Sequence, residues 1–129
     1  MWYRHWNEFI QKEDLQKLSQ SGITHLRIPL GYWIFSVEEN EPFPEPPKND
    51  HHAQRYYLKR LVRWAEELEL KVILDLHGAP GSQNGFDNSG RMGPIGRKYT
   101  FTFIFLYFIR PFKKHSTIVS IQYSAFNLG

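Results

Sequence analysis

The chain has 129 residues, 41% of them hydrophobic and 16% aromatic, with a net charge of +3. That length fits one small domain, and the absence of cysteine excludes a disulfide framework, a thiolate metal centre and a thiol nucleophile. The charge is uneven: residues 1–87 hold 10 Lys/Arg and 13 Asp/Glu, whereas residues 88–129 hold 6 Lys/Arg and no acid, which marks a composition break rather than a nucleic-acid-binding face.

The opening "MWYRHWNEFI" has no apolar core and no small-residue cleavage site, so no signal peptide is expected there. From Lys12 to Ser21 the pattern predicts a helix. Leu15 and Leu18 share a face, Glu13 and Asp14 occupy the first turn, and Gly22 offers a left-handed stop. "ITHLRIPL" follows as a strand, and "GYWIFSVEENEPFPEPPKNDHH", with four prolines and scattered acids, reads as a long connection. Between Ala53 and Glu69, the residues Leu58, Leu61, Val62, Ala65 and Leu68 recur at the spacing of one buried helix face. "LKVILDL" is a near-continuous apolar run, as expected of a strand covered on both sides in a parallel sheet. Helix, strand, helix, strand, with polar loops at the strand ends, implies a right-handed βαβ unit whose ligands bind at the C-terminal edge of its sheet.

The second strand runs into "LDLHGAPGSQNGFDNSG", residues 74–90. No lysine follows its glycines as a P-loop requires, and Gly78, Gly81 and Gly85 do not give the dinucleotide spacing. Amides, an aspartate and an aromatic suit a neutral polyhydroxylated ligand better; a purely structural turn loop is the alternative. Arg27 lies between Leu26 and Ile28, an expensive place for a cation without a partner. It either faces a carboxylate at the functional edge or points to solvent from an edge strand. His77 ends its strand, where a side chain reaches either a ligand or a structural hydrogen bond. Asp75 reads as structural. The pair His51-His52 has no companions at metal-ligand spacing, and Phe101 to Ile109 is too short an apolar stretch to span a bilayer.

Taken together, "HW..FI...D", "G...LRIPLGYW" and "LDLHGAPGSQNGFDNSG" resemble glycoside hydrolase family 5, exo-β-1,3-glucanase type, from about His5 to Ile95. The resemblance implies a (β/α)₈ barrel and retaining hydrolysis of β-1,3-glucan by two glutamates, acting as acid/base and nucleophile. It implies that Arg27 supports the nucleophile, that His77 contacts the sugar in the reacting subsite, and that Phe86 and Asp87 shape the sugar cleft. No Glu follows Glu69, so neither catalytic glutamate has a counterpart, and after "GRMGPI" the family pattern stops.

The expectation is therefore an α/β chain forming part of a (β/α)₈ barrel, about two strands and two helices, with an unassigned tail. Residues 1–95 would be the N-terminal glycosidase part and residues 96–129 a basic, aromatic-rich segment outside the family. As a fragment lacking both catalytic carboxylates the chain is expected to be inactive, with a non-catalytic carbohydrate-binding product as the alternative. The expected partner is β-glucan or a glucoside, with no cofactor, metal, nucleic acid, membrane or specific protein partner. The family resemblance implies an extracellular or cell-surface location.

Overall fold

The computed structural model describes residues 2–35, 37, 41–45, 47, 53–79, 81, 82, 84–90, 92–94 and 117–120. In chain order these form α1 (Trp2–Glu8), α2 (Lys12–Gln20), β1 (His25–Gly31), a 3-10 turn (Tyr32–Ile34), α3 (Gln54–Glu67), β2 (Lys71–Gly78), a second 3-10 turn (Asp87–Ser89) and β3 (Thr117–Ser120).

The helix ends follow from local chemistry. The backbone N–H of Gln11 donates to the Asp14 carboxylate at 2.9 Å, satisfying a donor at the start of α2. At its other end the N–H of Ile23 reaches the Leu18 carbonyl and that of Gly22 reaches the Ser19 carbonyl. Gly22 at φ 84° takes the left-handed position this closing motif needs. Leu15 is buried as its spacing predicts, whereas Leu18, one turn on at the closing motif, stays 42% exposed. Along α3, Leu58, Val62 and Ala65 are buried, with Leu61 and Leu68 partly buried against the same core. Lys12 Nζ donates to Glu67 at 2.5 Å, tying α2 to the last turn of α3. That hydrogen bond holds the Glu67 carboxyl below its usual range, and the positive charge of Lys12 acts in the same direction.

β1 and β2 run parallel, with His25 opposite Lys71 and Leu30 opposite Leu76. The strand pleat divides their side chains between two faces. Leu30, Val72, Leu74 and Leu76 form the core with α2 and α3, and Leu26 and Ile28 pack beside them. Arg27, Ile73, Asp75 and His77 share the opposite face by alternation. Pro29 has no N–H for a ladder and sits on an edge strand, where that costs little.

Two features go beyond the sequence expectation. α1 packs on α3 although its seven residues carry no clear helical period. Four residues of the tail, Thr117–Ser120, form β3, which pairs in parallel with β2 so that Val72 faces Thr117 and Asp75 faces Ser120. The sheet order is β1-β2-β3. The expectation of two strands and a tail matching no element is thus corrected for these four residues. The physical reason is that β2 offers a row of unpaired backbone groups, and a run with three β-branched residues in four, "TIVS" at three of its positions, suits such an edge. The apolar stretch Phe101–Ile109 and the pair His51-His52 lie outside the described residues.

Candidate substrate site

The C-terminal ends of β1 and β2 carry the residues singled out in the sequence. Their register slips at this point: Leu30 pairs with Leu76, but Gly31 pairs with Gly78, so His77 has no opposite residue on β1. Such a bulge bends the strand and re-aims the side chain it carries.

Arg27, Asp75 and His77 meet on this face. Arg27 Nη2 donates to Asp75 Oδ2 at 2.6 Å, and His77 Nδ1 lies 3.1 Å from the same oxygen. Asp75 is 1% exposed, whereas the side chains of Arg27 and His77 are about half exposed. The arrangement is a buried carboxylate carrying two donors that reach outward. A carboxylate oxygen accepts, so Nδ1 carries the proton, and a neutral His77 then keeps its lone pair on Nε2. The partner expected for Arg27 is therefore present, and it is Asp75. The sequence placed Asp75 as structural; the geometry makes it the centre that fixes both other side chains.

Beyond β2 the chain folds into a loop tied by its own polar groups. Ser89 Oγ donates to the Phe86 carbonyl at 2.7 Å, so the 2.6 Å contact between Ser82 Oγ and Ser89 Oγ has Ser82 as donor. Ser82 Oγ in turn accepts from the N–H of Gly85 at 3.0 Å. Both serines are buried, and this one-way chain satisfies them. The N–H of Gly93 closes the loop onto the Gly85 carbonyl at 3.1 Å. The turn Asp87–Ser89 packs against β2, which leaves Phe86 62% exposed and Asp87 exposed on the outer surface.

Trp33 explains several of the glycines. A Cβ built at Gly78 would lie 2.6 Å from Trp33 Cζ3, and one at Gly90 2.5 Å from Trp33 Cη2. At Gly31 the overlap with the indole would be closer still. The ring thus rests where β1, β2 and the loop converge, and Phe43 stacks on it with centroids 4.1 Å apart and planes 13° from parallel. Sequence reasoning missed this role; the available signal was the coincidence of "GYW" after one strand with "HG" after the next. Among the described residues, no group of three or more His, Asp or Glu is placed to hold a metal ion.

No family model matches the chain. The "Probable glucan 1,3-beta-glucosidase A" of Aspergillus fumigatus is 51% identical over 92 residues, 71% of this chain and 20% of that protein. The "Glucan 1,3-beta-glucosidase" of Pichia angusta is 43% identical over 96 residues, 74% of this chain and again 20% of the relative. This chain is a homologue of the glucan 1,3-beta-glucosidases. It spans about a fifth of the length of the curated relatives it matches. A rutinosidase from Aspergillus niger superposes with a TM-score of 0.63 at 26% identity, over 89% of this chain and 34% of that one. The crystal structure of AoRut gives a TM-score of 0.68 at 22% identity, over 87% and 32%, a likeness of fold.

Proposed function

We propose that this homologue of the glucan 1,3-beta-glucosidases supplies part of the substrate site of a retaining, β-1,3-glucan-acting glycosidase of family 5. Its parallel strands are read as consecutive strands of a (β/α)₈ barrel, whose ligands bind at the C-terminal ends. We assign residues 1–95 to the glycosidase part and residues 96–129 to a basic, aromatic-rich segment outside the family pattern. The observation that carries this reading is the cluster of Arg27, Asp75 and His77 at that edge, in a chain that is about half identical to the Aspergillus fumigatus relative over 92 residues.

In this reading His77 contacts the sugar at the reacting subsite. With Nδ1 committed to Asp75, a neutral His77 accepts a sugar hydroxyl proton at Nε2; it donates there only when protonated. In this reading the planar guanidinium of Arg27 would also steady the attacking carboxylate. Phe86 and Asp87, exposed on the loop, flank the sugar. The location would be extracellular or at the cell surface, as the resemblance implies.

Retaining hydrolysis needs two carboxyl groups about 5–5.5 Å apart, one to donate a proton and one to attack the anomeric carbon. In this sequence no Glu follows Glu69, and Asp75 is buried beneath Arg27 and His77. In this reading the 129-residue chain does not turn sugar over by itself, and the alternative is a non-catalytic product that binds it. The test is paired. Incubation with β-1,3-glucan should release no reducing sugar above a buffer control. Binding of β-1,3-glucotriose should weaken on His77→Ala. Release that His77→Ala removes would refute the inactivity. Binding that is indifferent to His77→Ala, Phe86→Ala and Asp87→Ala together would take this edge out of the site.

A further inference from the structure

An open cleft of about 400 Å³ lies between α1 and the first turns of α3, within the ~300–1,000 Å³ span of small-molecule sites. Its position follows from the topology. The C-terminal end of α3 feeds β2 through Leu70, and the N–H of Lys71 donates to the Thr24 carbonyl at the start of β1. α3 has 14 residues and β2 has 8, which makes them about 21 Å and ~26 Å long. The first turns of α3 therefore lie at the same end of the layers as His77, on the outer side.

The walls combine rings with planar polar groups. Tyr56 and Tyr57 meet edge to face, with centroids 5.3 Å apart and planes at 89°. Tyr3, 48% exposed, comes from α1, as do Asn7 and Glu8. Arg60 is clamped by Asn7, donating from Nη1 to Asn7 Oδ1 at 2.6 Å and from Nη2 to the Asn7 carbonyl at 3.1 Å. Its guanidinium also lies over the rings of Tyr57 and Trp64, at 4.9 and 4.6 Å. Arg4 Nε is shared between both Glu8 oxygens at 3.1 and 3.3 Å.

We infer that this cleft is a second, non-catalytic sugar-binding site, taking a unit of a β-glucan chain that lies outside the reacting subsite. The choice of β-glucan rests on the function proposed above; the cleft itself does not. Glu8 offsets the charge of Arg4, and both terminal nitrogens of Arg60 are held by Asn7, so the pull of this cleft on an anion is reduced. A neutral pyranose needs no such pull. Its C–H face packs on a tyrosine ring, its hydroxyls donate to Glu8, and the Asn7 amide nitrogen donates to its oxygens, since Asn7 Oδ1 is held by Arg60. A polymer leaving the strand ends over the rim meets this cleft on the same end of the fold.

The experiment is a fluorescence titration of the full 129-residue chain with β-1,3-glucotriose, run in a His77→Ala background so that the strand-end subsite is impaired. Saturable binding is expected there. Adding Tyr3→Ala should weaken it by about fivefold or more, and Tyr3→Phe, which keeps the ring, should stay within about twofold of the parent. Alanine at this exposed helical position is a good helix former. Inorganic phosphate at the same concentrations should not compete. Loss of all binding in the His77→Ala chain, with binding intact in the unaltered one, overturns the cleft and leaves the strand-end reading standing. Phosphate competition, or indifference to Tyr3→Ala, also overturns it. Binding that is lost through Tyr3→Ala but unaffected by His77→Ala supports the cleft while counting against the strand-end site.

Discussion

Asp75 holds two outward-facing side chains from a position with almost no access to water, and the two ends of this contact are not equivalent. If Arg27 is removed, a buried carboxylate keeps only His77. If Asp75 is replaced by asparagine, Arg27 retains an acceptor, and its half-exposed guanidinium can be hydrated. Arg27→Ala should therefore cost about 3 kcal/mol, near the lower end for a buried charge left without its partner. Asp75→Asn should cost about 1 kcal/mol, the scale of one weakened hydrogen bond. Urea midpoints of the two variants decide this, and the reverse order would mean that solvent already reaches Asp75. The sequence made Arg27 conspicuous because a cation between Leu26 and Ile28 demands a partner. It could not name that partner, because the pairing depends on register: Pro29 lies opposite Asp75, which sets Asp75 one pleat from Arg27. Nor could it show the bulge at His77, which exists only relative to the neighbouring strand.

Among the elements, α2, β1, α3 and β2 were legible because each carries its period in a run of seven or more residues. α1 and β3 were not: α1 carries no clear period, β3 has only four residues, and each owes its conformation to what it packs or pairs against, α3 in one case and the edge of β2 in the other. The long connection after β1 hid a further organising contact. Trp33 lies close over three glycines contributed by two strand ends and the loop, so the glycines that looked suited to a ligand also make room for an indole. A methyl at Gly78 would enter that ring, and its Ser89 side offers little escape, with the Ser89 carbonyl oxygen 3.2 Å from the same Cβ position. Gly78→Ala should destabilise the chain by about 1–3 kcal/mol, the usual range for overpacking. In a Trp33→Ala background the obstruction is gone and the added cost should fall below about 1 kcal/mol. A double-mutant cycle measured by thermal or urea unfolding gives the coupling directly. Additive effects would show that Gly78 is required for its backbone alone.

On the scale of the whole molecule, the decisive feature is which strand occupies the outer edge of β2. In the proposed barrel, the strand following β2 in a complete glycosidase pairs there; in this chain β3 holds that edge from Val72 to Asp75. One edge accepts one strand, because its backbone donors and acceptors are consumed by the first partner. The tail should therefore compete with the remainder of a barrel. Complementation tests this: the portion of a fungal relative that follows the matched region is co-expressed with either the full chain or a version ending at residue 95. On the proposed reading, the shortened version should form the complex more readily and restore hydrolysis of β-1,3-glucan, the added portion carrying the two catalytic glutamates and this chain supplying Arg27 and His77. Introducing Arg27→Ala should lower kcat strongly by loosening the attacking group. His77→Ala should lower kcat/KM through loss of a sugar contact. Arg27→Lys should rescue poorly, since an ammonium lacks the planar fork that reaches Asp75 and a second acceptor together. Equal complementation by both versions would mean that β3 is displaced at no cost, and the tail would then have no bearing on assembly. A restored activity indifferent to Arg27 and His77 would remove the strand ends from the chemistry, leaving the loop of residues 74–90 as the seat of Trp33 alone.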